Sequence, residues 1–324
     1  MLAERRSIKL AGVEVGRTPL VVPSFSSKGF PDVRKIIETL KEVISGCLLI
    51  SAYDLHYKLI SSDLSFGELV FLDSGGYECT KDKELSDLGY VDHVPQGWSQ
   101  DNHRAVLDGW KVVPPTVAVS YDHPQERLPI AEQIKRATKL FEGRNVVKEL
   151  LIKPESKTHT RIQIDSVIAN VHHLADFDII GFTEKELGYS LFKRMEHIAR
   201  VRGALTKLGL HTPIHIFGSL DTISTPHYFL AGADIFDGLT WLRYAYWNGQ
   251  AIYTHDFASL QIGSRINDEL VPARIWFNNY YQLQNLELDM RRFIAERDFG
   301  AFKYHGDLLK RSHQEMLAQE DGGS

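Results

Sequence analysis

Eight short apolar runs, each bounded by Gly, Pro, Asp or Ser, punctuate the chain and constrain its fold more than any other feature. They lie at 20–23, 47–51, 70–73, 117–122, 150–153, 179–181, 214–217 and 235–237. Runs this short without polar alternation read as strands buried on both faces. Between them lie longer stretches of helical period at 31–44, 129–141, 161–174, 187–208 and 225–231, the first placing Ile36, Ile37, Leu40, Val43 and Ile44 on one face. The repeated alternation favours an α/β fold, a closed (β/α)8 barrel rather than an open doubly wound sheet.

The 324 residues, 43% hydrophobic and 24% charged, can bury a large core. A barrel of roughly 250 residues leaves an appendage. We therefore expect a barrel over 1–260, a C-terminal helical segment packed on it over 261–318, and a disordered tail over 319–324. With 37 basic against 42 acidic side chains, net −5, no global positive field is available for a polyanion, so any nucleic-acid site is a local patch. No run approaches the ~18 apolar residues of a membrane helix, and Met1 to Lys9 carries Glu4, Arg5 and Arg6, so a cytoplasmic protein without a membrane partner is expected. Cys47 and Cys79, the two cysteines, make neither a disulfide framework nor a cysteine-based zinc site. His211 and His215 have four-residue spacing, but Pro213 between them denies them a shared helical face for a metal. No cofactor is expected.

In a (β/α)8 barrel the chemistry sits at the carboxyl-terminal rim. Three of the runs close on aspartate there: Asp73 in FLDSGGY, Asp122 in VAVSYDHP and Asp237 in GADIFDG. Any one alone reads as a turn residue whose carboxylate bonds nearby backbone N–H groups. Three converging on one rim could instead divide the labour of nucleophile and acid/base, because carboxylates crowded in a cleft titrate apart. Gly75 and Gly76 allow close backbone approach to a flat ligand, and Tyr77 and Phe217 could offer ring faces to it. A planar base whose edge donates hydrogens to a carboxylate, as guanine does, would suit that set. Either aromatic taken alone reads as core packing.

The stretch FLDSGGYEC at 71–79 resembles the DSGG-aromatic motif of the tRNA-guanine transglycosylases, and GADIFDGLTWLRYAYWNGQA at 232–251 resembles their G-D-x-F-D…R…N-G-Q-A segment. TPLVVPSFSSKG and CLLISAYDLHYKL look like the family's first barrel strands, and NNYYQLQNLELDMRRFIAERDFGAF like its terminal helices. The resemblance spans most of 18–302. It implies a (β/α)8 glycosyltransferase that exchanges guanine in a nucleic acid for a free 7-deazaguanine without breaking the strand.

Carried over by position, Asp237 would be the nucleophile at the anomeric carbon and Asp73 the acid/base partner, chemistry shared with retaining glycosidases. Asp122 would hold the guanine edge between Tyr77 and Phe217. Ser74, Gly75 and Gly181 would approach the base, with Glu186 just after Gly181, while Arg243 and Asn248 would contact the nucleic acid, Arg243 by forking onto phosphate or sugar oxygens.

Two departures bear on the substrate. The family's three cysteines and histidine for structural zinc are missing after N-G-Q-A, with Asn278 standing where the histidine would be. The zinc subdomain is therefore read as deleted, and a metal count of zero is expected. The V-Q-G-G segment, whose glutamine reads the base, is replaced by Leu151-Ile152-Lys153-Pro154-Glu155. Because the zinc region supports RNA docking and dimer formation in the tRNA enzymes, the resemblance favours DNA or another noncanonical substrate, as in DNA-modifying and antiviral-defence relatives. The alternatives are a noncatalytic scaffold subunit and a tRNA enzyme for queuosine or archaeosine. A homodimer or a heteromer with another modification protein is expected. Lys193, Arg200 and Lys207, with Arg194 and Arg202 beside them, could form a phosphate-contacting stripe or a solvated helix face.

Overall fold

The computed structural model describes residues 2–81, 83–87, 93–111, 114–263, 265 and 267–322. The chain opens with an antiparallel hairpin, β1 (Ser7–Leu10) and β2 (Val13–Arg17). Eight strands then close a parallel barrel: β3 (Leu20–Phe25), β4 (Cys47–Ser51), β5 (Leu69–Asp73), β6 (Thr116–Val119), β7 (Val147–Ile152), β8 (Ile179–Thr183), β9 (Ile214–Phe217) and β10 (Ile235–Gly238), with β10 pairing β3 to complete the ring. Each of the eight apolar runs is one of these strands. The fold is the expected (β/α)8 barrel.

Two cores explain why the runs are apolar on both faces. Leu20, Val22, Leu49, Phe71, Val117, Val147, Leu151, Ile179 and Ile235 fill the barrel interior. The alternate residues, such as Val21, Leu48, Ile50, Val70, Leu72, Ile180 and Phe236, pack outward against the helices. Side chains alternate along a strand, so one run serves both cores. The hairpin closes one end of the barrel: Ile8 joins the interior core, and a Cβ on Gly16 would sit 3.2 Å from Leu69. That hairpin was not anticipated from the sequence.

The helices differ in extent from their sequence periods. The stretch 187–208 yields helix Leu191–Lys207, because Gly188 lies outside helical geometry and the Ser190 hydroxyl caps the helix by accepting from Lys193 N at 3.1 Å. The stretch 161–174 splits into Ile164–Ala169 and the 3-10 turn Val171–Asp176, divided at Asn170, whose side chain donates to the Ser166 carbonyl. Helix Gln100–Gly109 follows β5 and was also not anticipated.

After the barrel come a small hairpin, β11 (Ala245–Trp247) and β12 (Gln250–Ile252), and a 26-residue helix, Val271–Glu296. The long helix packs on the barrel: Leu283, Met290 and Phe293 belong to the outer core, and Glu287 Oε2 accepts from Val21 N of β3 at 2.9 Å. The last helix, Gly306–Gly322, extends into the segment expected to be a tail, and residues 323 and 324 lie outside the described residues. Among the described residues no helix is long and apolar enough to cross a membrane.

Candidate active site

The inward-facing positions of the strands become polar toward their carboxyl ends. Ser24, Asp73, Lys153, Thr183, Phe217 and Asp237 line one cleft of about 730 Å³, its mouth included, together with Tyr77, Glu78, Glu84 and Asp122. Asp73 closes β5, and Asp237 is the penultimate residue of β10. Asp122 departs from the sequence expectation: β6 ends at Val119, so Asp122 lies in the loop beyond it, held by a hydrogen bond from its backbone N–H to Ser74 Oγ at 3.3 Å.

The two aspartates expected to be catalytic have opposed surroundings. Asp237, 5% exposed, accepts from the Ser24 hydroxyl at 2.7 Å and from Gly218 N at 3.3 Å. His215 adds a positive charge, its Nε2 3.2 Å from Asp237 Oδ1. That contact is ionic, because the angle leaves Nε2 without a hydrogen-bond partner. Asp73 has the reverse environment. Desolvation first, then the charges of Glu78 and Asp237, push its carboxyl up to about 8, despite the hydrogen bond it accepts from Gly75 N at 3.0 Å. It therefore holds a proton at neutral pH. Glu78 and Asp54 are shifted in the same direction, mainly by burial, and form a run of mutually repelling carboxyls behind Asp73.

Beneath Asp237 lies His215, whose spacing from His211 offers no metal site but which the fold places against a buried glutamate. His215 and Glu149 are both 0% exposed, and Nδ1 meets Glu149 Oε1 at 2.7 Å. Burial disfavours the imidazolium, but the charges of Glu149 and Asp237 outweigh it and raise His215 to about 9. Burial also raises Glu149. The Phe217 ring stacks on His215 at 4.0 Å between centroids, so the same histidine supports one wall of the cleft. The signal was available: Glu149 interrupts an apolar run in phase with Val147 and Leu151, on the interior face.

Gly181, closing the expected strand 179–181, was expected to approach the base. It lies instead within β8, and a Cβ there would meet Phe217 Cε2 at 2.6 Å and Glu149 Oε1 at 2.8 Å. It makes room for the histidine–glutamate pair and for the Phe217 ring. Gly75, with φ of +84°, likewise packs against protein: its missing Cβ admits Tyr53 at 2.7 Å and Trp98 at 3.0 Å. Ser74 is buried and supports Asp122. Tyr77 lines the cleft, with Lys28 Nζ 3.9 Å from its ring centroid and its hydroxyl tied to Asp87 and Arg243.

Lys153 stands beside Asp122, Nζ to Oδ2 3.2 Å, and 2.6 Å from Glu186 Oε2, while Arg127 Nη1 reaches Asp122 Oδ1 at 3.3 Å. Glu186 thus acts on Lys153, just outside the cleft lining. Arg243, expected on phosphate or sugar, is committed within the protein: it pairs with Glu84 at 2.8 Å and with Asp87, and donates to Ser86 and Tyr77. Asn248 is exposed at the β11–β12 turn, where Asn248 and Gly249 have φ of +49° and +73°. That is the two-residue Asn-Gly hairpin turn, away from the cleft. The basic stripe is mostly paired internally: Arg202 is buried against Asp234, Arg194 meets Glu184, Lys193 meets Glu196 and Arg200 meets Asp165.

Among the described residues no group of three or more His, Cys, Asp or Glu is arranged to hold a metal ion. Asn278, which the resemblance would set where the transglycosylases have a histidine, donates to the Tyr246 carbonyl at 2.8 Å. The residues present do not fit a structural zinc. No protein-family model and no curated protein matches the chain.

Proposed function

We propose that the protein is a base-exchange transglycosylase that replaces guanine in a nucleic acid with a 7-deazaguanine. The observation carrying this reading is that Asp237, set among hydrogen-bond donors, and Asp73, held protonated by burial and neighbouring carboxylates, line one cleft. Asp237 is surrounded by a hydroxyl donor, a backbone donor and a cation. Asp73 is raised into the range of a general acid. A carboxyl that keeps its proton suits the acid, and a neighbouring carboxylate held by donors suits the nucleophile. Asp237 attacks the anomeric carbon as the bond to guanine breaks, the electron pair leaves with guanine, and Asp73 supplies its proton. The incoming base then gives a proton to Asp73 and displaces Asp237.

Asp122 and Lys153 present acceptors beside a donor on the wall of the cleft. Guanine and 7-deazaguanine offer the complement, N–H groups beside a carbonyl. DNA or another noncanonical nucleic acid is the favoured substrate, since the cysteine and histidine ligands of the zinc region that supports tRNA docking in the resembled family are missing from the sequence. The test is incorporation of labelled guanine by purified protein into tRNA, duplex DNA and single-stranded DNA in parallel. Incorporation into DNA above tRNA is expected; labelling of tRNA alone would overturn the substrate choice, and labelling of none would overturn the enzyme reading.

A further inference from the structure

Asp237 lies in a strongly anionic setting, its charge acting on Asp73, Glu84 and Glu149 alike. The cation set against it is His215. Facing His215 are Glu149 from β7, Asp237 from β10, the edge of Phe71 from β5 and the stacked Phe217 from its own strand. The ring is therefore fixed on every side. Its Nδ1 is anchored to Glu149, and its Nε2 lies 3.2 Å from Asp237 Oδ1 in an ionic contact.

We propose that His215 is a positioning residue that makes Asp237 a reversible nucleophile, favouring return of its carboxylate from the bond to the sugar. The inference rests on the transglycosylase reading. A cation stabilises a carboxylate far more than the uncharged ester formed when that carboxylate bonds a sugar carbon. An imidazolium at 3.2 Å thus opposes accumulation of the aspartyl-sugar ester and assists its breakdown. In that breakdown the ring nitrogen of the incoming base forms the new bond to the anomeric carbon. The C–O bond to Asp237 breaks, its electron pair returns to the carboxylate beside His215, and the base's proton passes to Asp73. Base exchange needs an intermediate that forms and then releases; hydrolysis or permanent capture would end the cycle. Glu149 keeps the imidazolium charged in a dry site, which accounts for a glutamate between Val147 and Leu151 on the interior face of β7. Gly181 supplies the space that lets Glu149, His215 and Phe217 meet.

The sign of the pH effect follows. His215 is charged below about pH 9 and loses its charge above it, so return of Asp237 slows as pH rises through that value. Glu149→Gln removes the partner charge and brings the same behaviour to lower pH.

The experiment follows two quantities in wild type, His215→Gln and Glu149→Gln from pH 6 to pH 10: the fraction of oligonucleotide held as a denaturation-resistant adduct, and the rate of guanine exchange. For His215→Gln the expected result is an adduct lifetime about tenfold longer or more, with exchange reduced, below about pH 9, the difference from wild type narrowing toward pH 10 as the wild-type histidine loses its charge. For Glu149→Gln the adduct should persist from a lower pH than in wild type. A residue needed only for folding would lower adduct and exchange in proportion, and that proportional loss in a folded variant overturns the proposal. Should His215→Gln fail to fold, the wild-type and Glu149→Gln pH series decide, and coincident profiles overturn it. A wild-type protein giving neither adduct nor exchange brings down the transglycosylase reading itself, an outcome distinct from both.

Discussion

Lys153 Nζ lies 3.2 Å from Asp122 Oδ2, which sets a donor beside an acceptor on one wall of the cleft. Desolvation works against the Lys153 charge, but Asp122 and Glu186 more than offset it, so the ammonium persists. Asp122→Asn replaces two acceptors with one acceptor and a donor and should weaken guanine binding by about 10- to 100-fold. Lys153→Met should cost about tenfold while Asp122 keeps its pairing with Arg127. Calorimetric titration with guanine checks both, and unchanged affinity in either removes that side chain from the base site.

The raised Asp73 makes a prediction about stability. The folded state holds the Asp73 proton more tightly than the unfolded chain, whose carboxyl titrates near 3.8. Its contribution is therefore complete below about pH 4 and lost as pH rises through about 8. Asp73→Asn, with no proton to lose, should melt above wild type at pH 8 and alongside it near pH 4. A constant difference across that range would contradict the assignment.

Gly181→Ala tests the packing beneath the cleft. The added methyl meets the Phe217 ring and Glu149 Oε1 inside 3 Å, an overpacking that should cost about 1–3 kcal/mol. Thermal melting should fall by a few degrees, and exchange should fall further than stability alone explains, because Phe217 is displaced from the cleft wall.

A second buried charge cluster serves the fold rather than the site. Asp234 holds Arg6 at 2.7 Å and Arg202 at 2.5 Å, and accepts from Ile214 N at 2.8 Å, joining the N-terminal segment to β9 and β10. Asp234→Asn leaves two buried guanidinium groups undercompensated and should destabilise by about 3–5 kcal/mol. Denaturant unfolding measures this; a change below about 1 kcal/mol would mean that water reaches the cluster.

The barrel was legible because its strands are apolar on both faces, so that each run announces itself without tertiary knowledge. The hairpin β1–β2 was not, since only Ile8 of its nine residues is buried and the rest alternate with polar side chains. Helix Gln100–Gly109 buries only His103 and Leu107, too little for a clear period, although the Ser99 cap was readable. Asp73, Asp122 and Asp237 were found because turn aspartates at strand ends stand out. Glu149 and His215 were missed because they lie far apart in the chain and meet only when β7 and β9 are placed on either side of Gly181. Arg243 and Asn248 show the converse: matched motif letters occupied by an internal ion pair and a hairpin turn.

The central claim is that Asp237 bonds covalently to the sugar, and trapping of that bond tests it most directly. Wild-type protein incubated with guanine-containing oligonucleotides and run on a denaturing gel should show a shifted species whose attachment maps to Asp237. Asp237→Asn, nearly identical in shape but a poor nucleophile, should keep its fold and guanine affinity, lose the shifted species, and lose exchange by several orders of magnitude. An adduct that persists in Asp237→Asn, or exchange at the wild-type rate in that variant, would contradict the account.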